Sequence, residues 1–244
     1  MKDSIFKITE NKALNHNVYR MRLKGDTSEI KNAGQFVNIK IDGLYLRRPI
    51  SVCDVDDDVL TIIYKVVGKG TKKLSKMQKG ENLLILTGLG NGYDLSKSGE
   101  NILLLGGGVG VPPLYLLAKR LLSQNKKVTV LLGFNTKDEV FYEFEFKNLG
   151  CEVIITTVDG SYGKKGFVTD YMPNEYSYFY TCGPEPMLKS VYNRTKTSGQ
   201  FSFEERMGCG FGACMGCSCK TITGFKRICK DGPVLLKEEI LWED

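Results

Sequence analysis

Five of the chain's eight cysteines fall between positions 209 and 229, and four of them carry a spacing suited to metal. Cys209, Cys214 and Cys217 read C-x4-C-x2-C, and Cys229 follows after eleven intervening residues. That is the spacing of plant-type [2Fe–2S] sites, which need four thiolates. Gly208, Gly210, Gly212 and Gly216 lie among them. Glycine suits a loop that folds tightly over inorganic sulfides while aiming backbone N–H groups at them. Two other chemistries stay open. Zinc usually takes paired C-x2-C hooks, and only Cys214 with Cys217 makes one; unliganded, redox-regulatory thiols are the other. Cys219 breaks the recognised spacing and is left out of the ligand set, although the sequence does not exclude it. Cys53, Cys151 and Cys182 are isolated, and such residues are by default small buried hydrophobes.

Two glycine turns come earlier. Gly106-Gly107-Gly108-Val109-Gly110-Val111-Pro112-Pro113 follows an apolar strand and opens a helix expected from about Leu114. Gly107, Gly108 and Gly110 there would let a pyrophosphate approach backbone N–H groups at a helix start, and proline is tolerated in a first helical turn. Pro113 stands where the usual dinucleotide fingerprint has its third glycine, so the standard Rossmann motif is absent. A merely tight strand-to-helix connection is the bland alternative. Thr181-Cys182-Gly183-Pro184 is a second such turn; Gly183 would let a planar ring lie close to the backbone, although without context a purely structural turn is the better reading. Upstream, Arg47-Arg48-Pro49-Ile50-Ser51 offers an arginine able to clamp phosphate and a serine able to bond a flavin. Lys69-Gly70-Thr71 would add backbone donors for the same pyrophosphate. Each is weak alone; their order along the chain is what counts.

These groups need elements to position them. The first hundred residues read as short strands, such as 36–41, 59–64 and 82–86, at the spacing of an antiparallel sandwich or barrel. From about Gly99 apolar runs alternate with helical patterns: strands at 102–105, 128–132, 151–156 and 178–181, helices at 114–122, 139–149 and 186–196. That is the βαβ rhythm of a parallel sheet. After Gln200 comes a tail with little expected regular structure. At 244 residues, 42% hydrophobic and 25% charged, the chain can bury two cores. No run approaches the eighteen apolar residues of a membrane span, and no signal peptide is expected, so the prediction is a soluble, cytoplasmic protein. The net charge of +6 sits in the N-terminal part, where residues 1–97 hold 17 basic and 11 acidic side chains. It is too dispersed to argue for nucleic acid.

Taken in order, Arg48-Pro49-Ile50-Ser51, Gly106 to Pro113, Cys182-Gly183-Pro184 and the cysteine tail resemble the ferredoxin reductase family over nearly the whole chain. The stretch from Phe203-Glu204-Glu205-Arg206-Met207-Gly208-Cys209-Gly210 through Cys217, with Cys229-Lys230-Asp231-Gly232-Pro233, resembles more narrowly the electron-transfer subunits of NAD-dependent (type B) dihydroorotate dehydrogenases. The resemblance implies a β plus α/β fold. A flavin-binding antiparallel barrel would occupy residues 1–97, a nicotinamide-binding parallel-sheet domain 98–200, and a [2Fe–2S] subdomain 201–244. It implies FAD contacts at Arg48, Pro49, Ile50, Ser51, Tyr64, Lys65, Val66, Gly70 and Thr71, and cluster ligands at Cys209, Cys214, Cys217 and Cys229. The segment 159–163 would lie near the nicotinamide cofactor and 89–92 near the flavin. The implied partner is a separate FMN-containing catalytic subunit, two copies of each in a heterotetramer. The chain would then pass electrons between that FMN and NAD in the synthesis of pyrimidines (UMP). Cys219 departs from the family's pattern.

The implied cofactor set follows from electron counting. Nicotinamide exchanges a hydride, a cluster exchanges one electron, and a flavin does both. No side chain need act as acid or base, because hydride transfer asks mainly for alignment. His16, the single histidine, reads as a surface residue. Phe211 and Met215 sit among the ligands and are expected to face a partner. No arginine follows Gly133-Phe134-Asn135-Thr136, and Asp138 is close, which favours NAD over NADP. Two other functions fit parts of the pattern: a flavin subunit of a hydrogenase or of an NADH and ferredoxin transhydrogenase, and a zinc-stabilised nucleotide-binding regulator.

Overall fold

A computed structural model describes residues 1–242. The N-terminal part forms β1 (Lys2–Ala13), β2 (Val18–Lys24), β3 (Phe36–Ile39), β4 (Arg48–Asp56), β5 (Val59–Lys65), the short helix α1 (Lys69–Leu74) and β6 (Asn82–Leu89). The six strands close into an antiparallel barrel in the order β1-β2-β5-β4-β3-β6. Alternation explains why they close. On β1, Phe6 and Ile8 point inward between exposed Ile5 and Lys7; on β2, Met21 and Leu23 do the same around Arg22. These side chains meet Val37, Ile39, Leu60, Ile62 and Ile85 inside. Each such burial contributes about 1.5–3 kcal/mol.

The second part contains β7 (Asn101–Gly107), α2 (Pro112–Ser123), β8 (Lys127–Phe134), α3 (Glu143–Leu149), β9 (Glu152–Thr157), the short β10 (Lys164–Lys165), β11 (Tyr178–Cys182), α4 (Glu185–Arg194) and β12 (Gly199–Ser202). The chain then makes a hairpin of β13 (Ser218–Thr221) and β14 (Gly224–Arg227), and ends its strands with β15 (Val234–Leu236). One sheet holds seven of these strands in the order β10-β9-β8-β7-β11-β12-β15. All its pairs are parallel except β12 with β15. Strands buried on both faces read as continuous apolar runs, and β7 shows the division of labour. Ile102 and Leu104 join the core shared with α2 and the barrel, whereas Leu103 and Leu105 join the core under α4 and the tail.

The structure departs from the sequence expectations in three places. The helix expected over 139–149 begins only at Glu143, because a 3-10 turn over Lys137–Glu139 comes first and Tyr142 sits in the left-handed region at φ +67°. A second 3-10 turn, Gly108–Gly110, separates β7 from α2, which starts at Pro112. Lastly, the tail is more regular than expected. Gln200, Phe201 and Ser202 pair with Leu236, Leu235 and Val234, so the returning chain extends the main sheet.

The barrel and the sheet meet across α2. Lys119 reaches Asp54 at 3.2 Å and Arg120 donates to the Lys31 carbonyl at 2.5 Å. Burial of Asp54 pushes its carboxyl up in spite of the Lys119 charge. No helix among the described residues is long and apolar enough to cross a membrane.

Candidate functional site

Three candidate regions lie along the junction of barrel, sheet and tail. The first is where two barrel strands part. Arg48–Ser51 of β4 pairs with β3, whereas β4 pairs with β5 only from Val52, opposite Ile62, onward. Ile63 to Lys65 therefore run past the last β4 partner, and a slot opens between the segments expected to hold a flavin. Sequence-predicted residues converge at its rim. Arg48 folds over Gly70, where an added Cβ would stand 2.3 Å from Nε, so a larger residue there would displace the guanidinium. Its Nη1 donates to the carbonyls of Leu46 and Arg47 at 2.5 and 3.2 Å. Arg47 is occupied elsewhere, in a bidentate pair with Asp3 at 2.6 and 2.8 Å, which leaves Arg48 as the arginine at the slot. Thr71 accepts through its hydroxyl from the Val67 and Gly68 N–H groups, fixing the turn before α1. Pro49, Ile50, Ser51, Lys65 and Val66 are half-buried along the two strands. Tyr64 is different. Its ring is buried against Tyr19 and its hydroxyl donates to Asn11 at 3.0 Å, so its main chain is what it presents to the slot.

The second region is the crevice where strand order reverses. β8 lies on one side of β7 and β11 on the other, and ligands of open α/β sheets bind outside the carboxyl ends of strands at such a point. The two glycine turns predicted from sequence touch here. A Cβ on Gly110 would stand 2.3 Å from the Cys182 carbonyl oxygen and 2.6 Å from the Gly183 Cα. Gly107 faces Pro184 and Met187 at comparably short range. The Thr181 hydroxyl donates to the Leu105 carbonyl at 3.0 Å, tying the strands just below the crevice. Burial pushes the Cys182 thiol up to about 12, although Ser202 hydrogen-bonds to it. Cys53 and Cys151, by contrast, are core residues as expected.

The third region is the cysteine loop. Main-chain N–H groups link its cysteines two by two. The Cys209 N–H points at the Cys214 sulfur at 3.5 Å, and the Cys229 N–H donates to the Cys217 sulfur at 3.4 Å. Main-chain N–H groups of Phe211, Ala213 and Cys214 lie 3.5, 3.2 and 3.4 Å from the Cys209 sulfur. Burial opposes ionisation of Cys209, but these donors outweigh it and bring the thiol down to about 6. Burial and the neighbouring Cys217 sulfur push Cys229 up instead. Among the described residues, no three His, Cys, Asp or Glu side chains converge where a single ion would bind. Thiols that receive several aimed N–H groups suit the sulfurs of an iron–sulfur site, in line with the cysteine spacing. Cys219 lies apart in β13, opposite Lys226. Arg227 secures the loop by donating to the Gly212 carbonyl at 2.9 Å while paired with Asp231 at 3.0 Å.

Residues 204–241 match the iron–sulfur cluster binding domain of dihydroorotate dehydrogenase B, and residues 104–193 match the oxidoreductase NAD-binding domain. The chain is 45% identical over 251 residues to the electron transfer subunit of dihydroorotate dehydrogenase B (NAD(+)) from Fusobacterium nucleatum subsp. nucleatum, covering 96% of each. The chain belongs to this family. The corresponding subunit from Geobacillus sp. (strain WCH70) is 43% identical, with 99% of both chains covered. Among solved structures, one described as an NADH-dependent reduced ferredoxin-NADP oxidoreductase in flavin-based electron bifurcation superposes with a TM-score of 0.87 at 30% identity. That match covers 97% of this chain and 90% of the other. A ferredoxin NADP+ reductase from Neisseria gonorrhoeae shares the fold at a TM-score of 0.69 and 17% identity, with 80% and 90% covered. A dihydroorotate dehydrogenase electron-transfer subunit is thus an NAD-linked oxidoreductase component built as barrel, parallel sheet and iron–sulfur tail.

Sequence reasoning missed Asn38 and gave Asn91 only a place near the flavin. Asn38 donates to the Cys209 carbonyl at 3.1 Å. Asn91 donates to the carbonyls of Val234 and Asp231 and accepts from the Val234 N–H. Neither has a local signature, because each bonds a residue more than a hundred positions away. The segment 89–92, expected near the flavin, thus also fastens the tail to the barrel.

Proposed function

We propose that the chain carries electrons between NAD and the FMN of a dihydroorotate dehydrogenase catalytic subunit, using FAD and a [2Fe–2S] cluster, in pyrimidine synthesis. The observation that carries this reading is that main-chain N–H groups link Cys209 to the Cys214 sulfur and Cys229 to the Cys217 sulfur, inside the segment that matches the family's cluster-binding domain. In this reading residues 1–97 bind FAD, 98–200 bind NAD and 201–244 hold the cluster. Arg48 and the turn at Gly70 and Thr71 hold the flavin pyrophosphate, while Pro49, Ile50, Ser51 and the main chain of Tyr64, Lys65 and Val66 line the slot. Gly107, Gly108, Gly110, Cys182, Gly183 and Pro184 form the nicotinamide crevice.

A bound flavin exchanges a hydride with nicotinamide and single electrons with a cluster. The chain's own residues supply placement. Close approach of the Gly110 and Cys182 turns gives a planar ring a backbone floor, and N–H groups around Cys209 favour its thiolate. The pyrimidine chemistry belongs to the partner, in a cytoplasmic complex of two copies of each chain. A sister role with another redox partner draws support from the 30% likeness to the ferredoxin-NADP oxidoreductase, but the identity of 45% to the dihydroorotate dehydrogenase subunit favours the first reading.

Anaerobic purification with iron, acid-labile sulfide and flavin analysis tests the cofactors. Two irons and two sulfides per chain are expected, and their absence would end the reading. Co-purification with an FMN-containing dihydroorotate dehydrogenase chain tests the partner.

A further inference from the structure

Asn38 links the two cofactor regions. It lies on β3 opposite Pro49, and Phe36 lies opposite Ser51; cross-strand partners share a face of the sheet. Val37 and Ile39, on either side of it, are fully buried in the barrel core. Asn38 therefore leaves the barrel on the face that bears Pro49 and Ser51. There its Nδ2 donates to the Cys209 carbonyl at 3.1 Å. Gly210 presses against it: a Cβ at that position would stand 2.4 Å from Nδ2, and Gly210 adopts φ +78°. The side chain is 1% exposed, and its Oδ1 is buried without a protein partner.

A carboxamide satisfied at one end stabilises a core less than an apolar side chain of similar size, since its unpaired acceptor loses hydration without return. What it supplies is direction, because the hydrogen bond fixes the start of the cysteine loop relative to β3 and β4. We propose that Asn38 is a positioning residue that pins the Cys209 loop to the flavin-facing strands and so sets the separation across which electrons pass. The proposal rests on the flavin and cluster assignments above. Each NADH delivers two electrons to the flavin as hydride, and they cross this gap singly, one cluster reduction per crossing. Tunnelling falls exponentially with distance, so freeing the loop slows that crossing more than it affects nucleotide binding or hydride transfer.

The test uses the holoenzyme with its partner, anaerobically, in the variants Asn38→Leu and Asn38→Ser. The first keeps the volume without the donor, and the second only removes atoms. Rapid mixing with NADH is expected to bleach the flavin within twofold of the wild-type rate while cluster reduction slows at least tenfold. The low-temperature paramagnetic resonance spectrum of the reduced cluster should broaden or shift in both. Wild-type cluster kinetics with an unchanged spectrum, or equal slowing of both phases, overturns the proposal. Loss of iron from both variants with FAD retained overturns it too, since Asn38 would then retain the cluster rather than place it. Absence of iron from the wild-type protein is a separate result, which removes the cluster reading itself.

Discussion

Gly110 and Cys182 lie in backbone contact across the mouth of the crevice between β7 and β11, with 2.3 Å between the position of a glycine Cβ and the Cys182 carbonyl oxygen. No real Cβ tolerates that distance, so Gly110→Ala must push the two turns apart. The expected result is a KM for NADH raised at least tenfold and a loss of about 1–3 kcal/mol of stability, as for overpacking in a close-packed interior. Iron content should stay at the wild-type level. Steady-state kinetics with an artificial acceptor, thermal unfolding and iron analysis check the three parts.

Cys182 also gives a pH prediction. Its thiol is pushed by burial up to about 12, so the protonated form is the one the fold stabilises. A group with a raised value stays neutral through the physiological range and loses its proton only as pH climbs toward that value. Alkylation at Cys182, followed by peptide mass mapping at pH 8, should run at less than a tenth of the rate of free cysteine, whose ordinary value is near 8.5. Acceleration should come between pH 9 and 12. Rapid labelling at pH 7 would contradict the burial argument.

Asn91→Ala removes a carboxamide that makes three hydrogen bonds to the tail, two donated and one accepted. Part-buried partners left behind cost about 1–3 kcal/mol in total. Because those partners lie just before β15 and at its first residue, the loosening should appear as faster amide exchange over 231–236, with the barrel strands unchanged. Hydrogen exchange read by mass spectrometry is the measurement.

Phe211 and Met215 are 45% and 55% exposed on the cysteine loop, and Phe225 is 73% exposed on the adjoining hairpin. Apolar side chains around a redox centre suit a partner surface. Phe211→Asp is expected to lower electron delivery to the partner's FMN at least tenfold while NADH reduction of the flavin holds. Equal loss of both rates would count against docking through this loop.

Much of this was legible in the chain. The cysteine spacing named the cluster, and the period-two and βαβ patterns located the barrel and the sheet, because hydrophobic periodicity is imposed locally by strand and helix geometry. The late start of α3 was not legible, since it depends on Tyr142 adopting a left-handed backbone while its ring packs edge-on against Tyr115. The return of the tail as β15 was hidden too, because its three residues are too short to show a period.

Residue type and spacing along the sequence determined which groups are candidates for the site: four cysteines, two glycine turns and an arginine before a proline. Tertiary structure decided which of them meet. Folding chose Arg48 over Arg47 for the slot, set Gly110 against Cys182 from 72 positions away, and brought Asn38 to Cys209 across 171. Local sequence records the preferences of neighbours in the chain, whereas contacts at such separations exist only after the cores have closed and fixed the distances between elements.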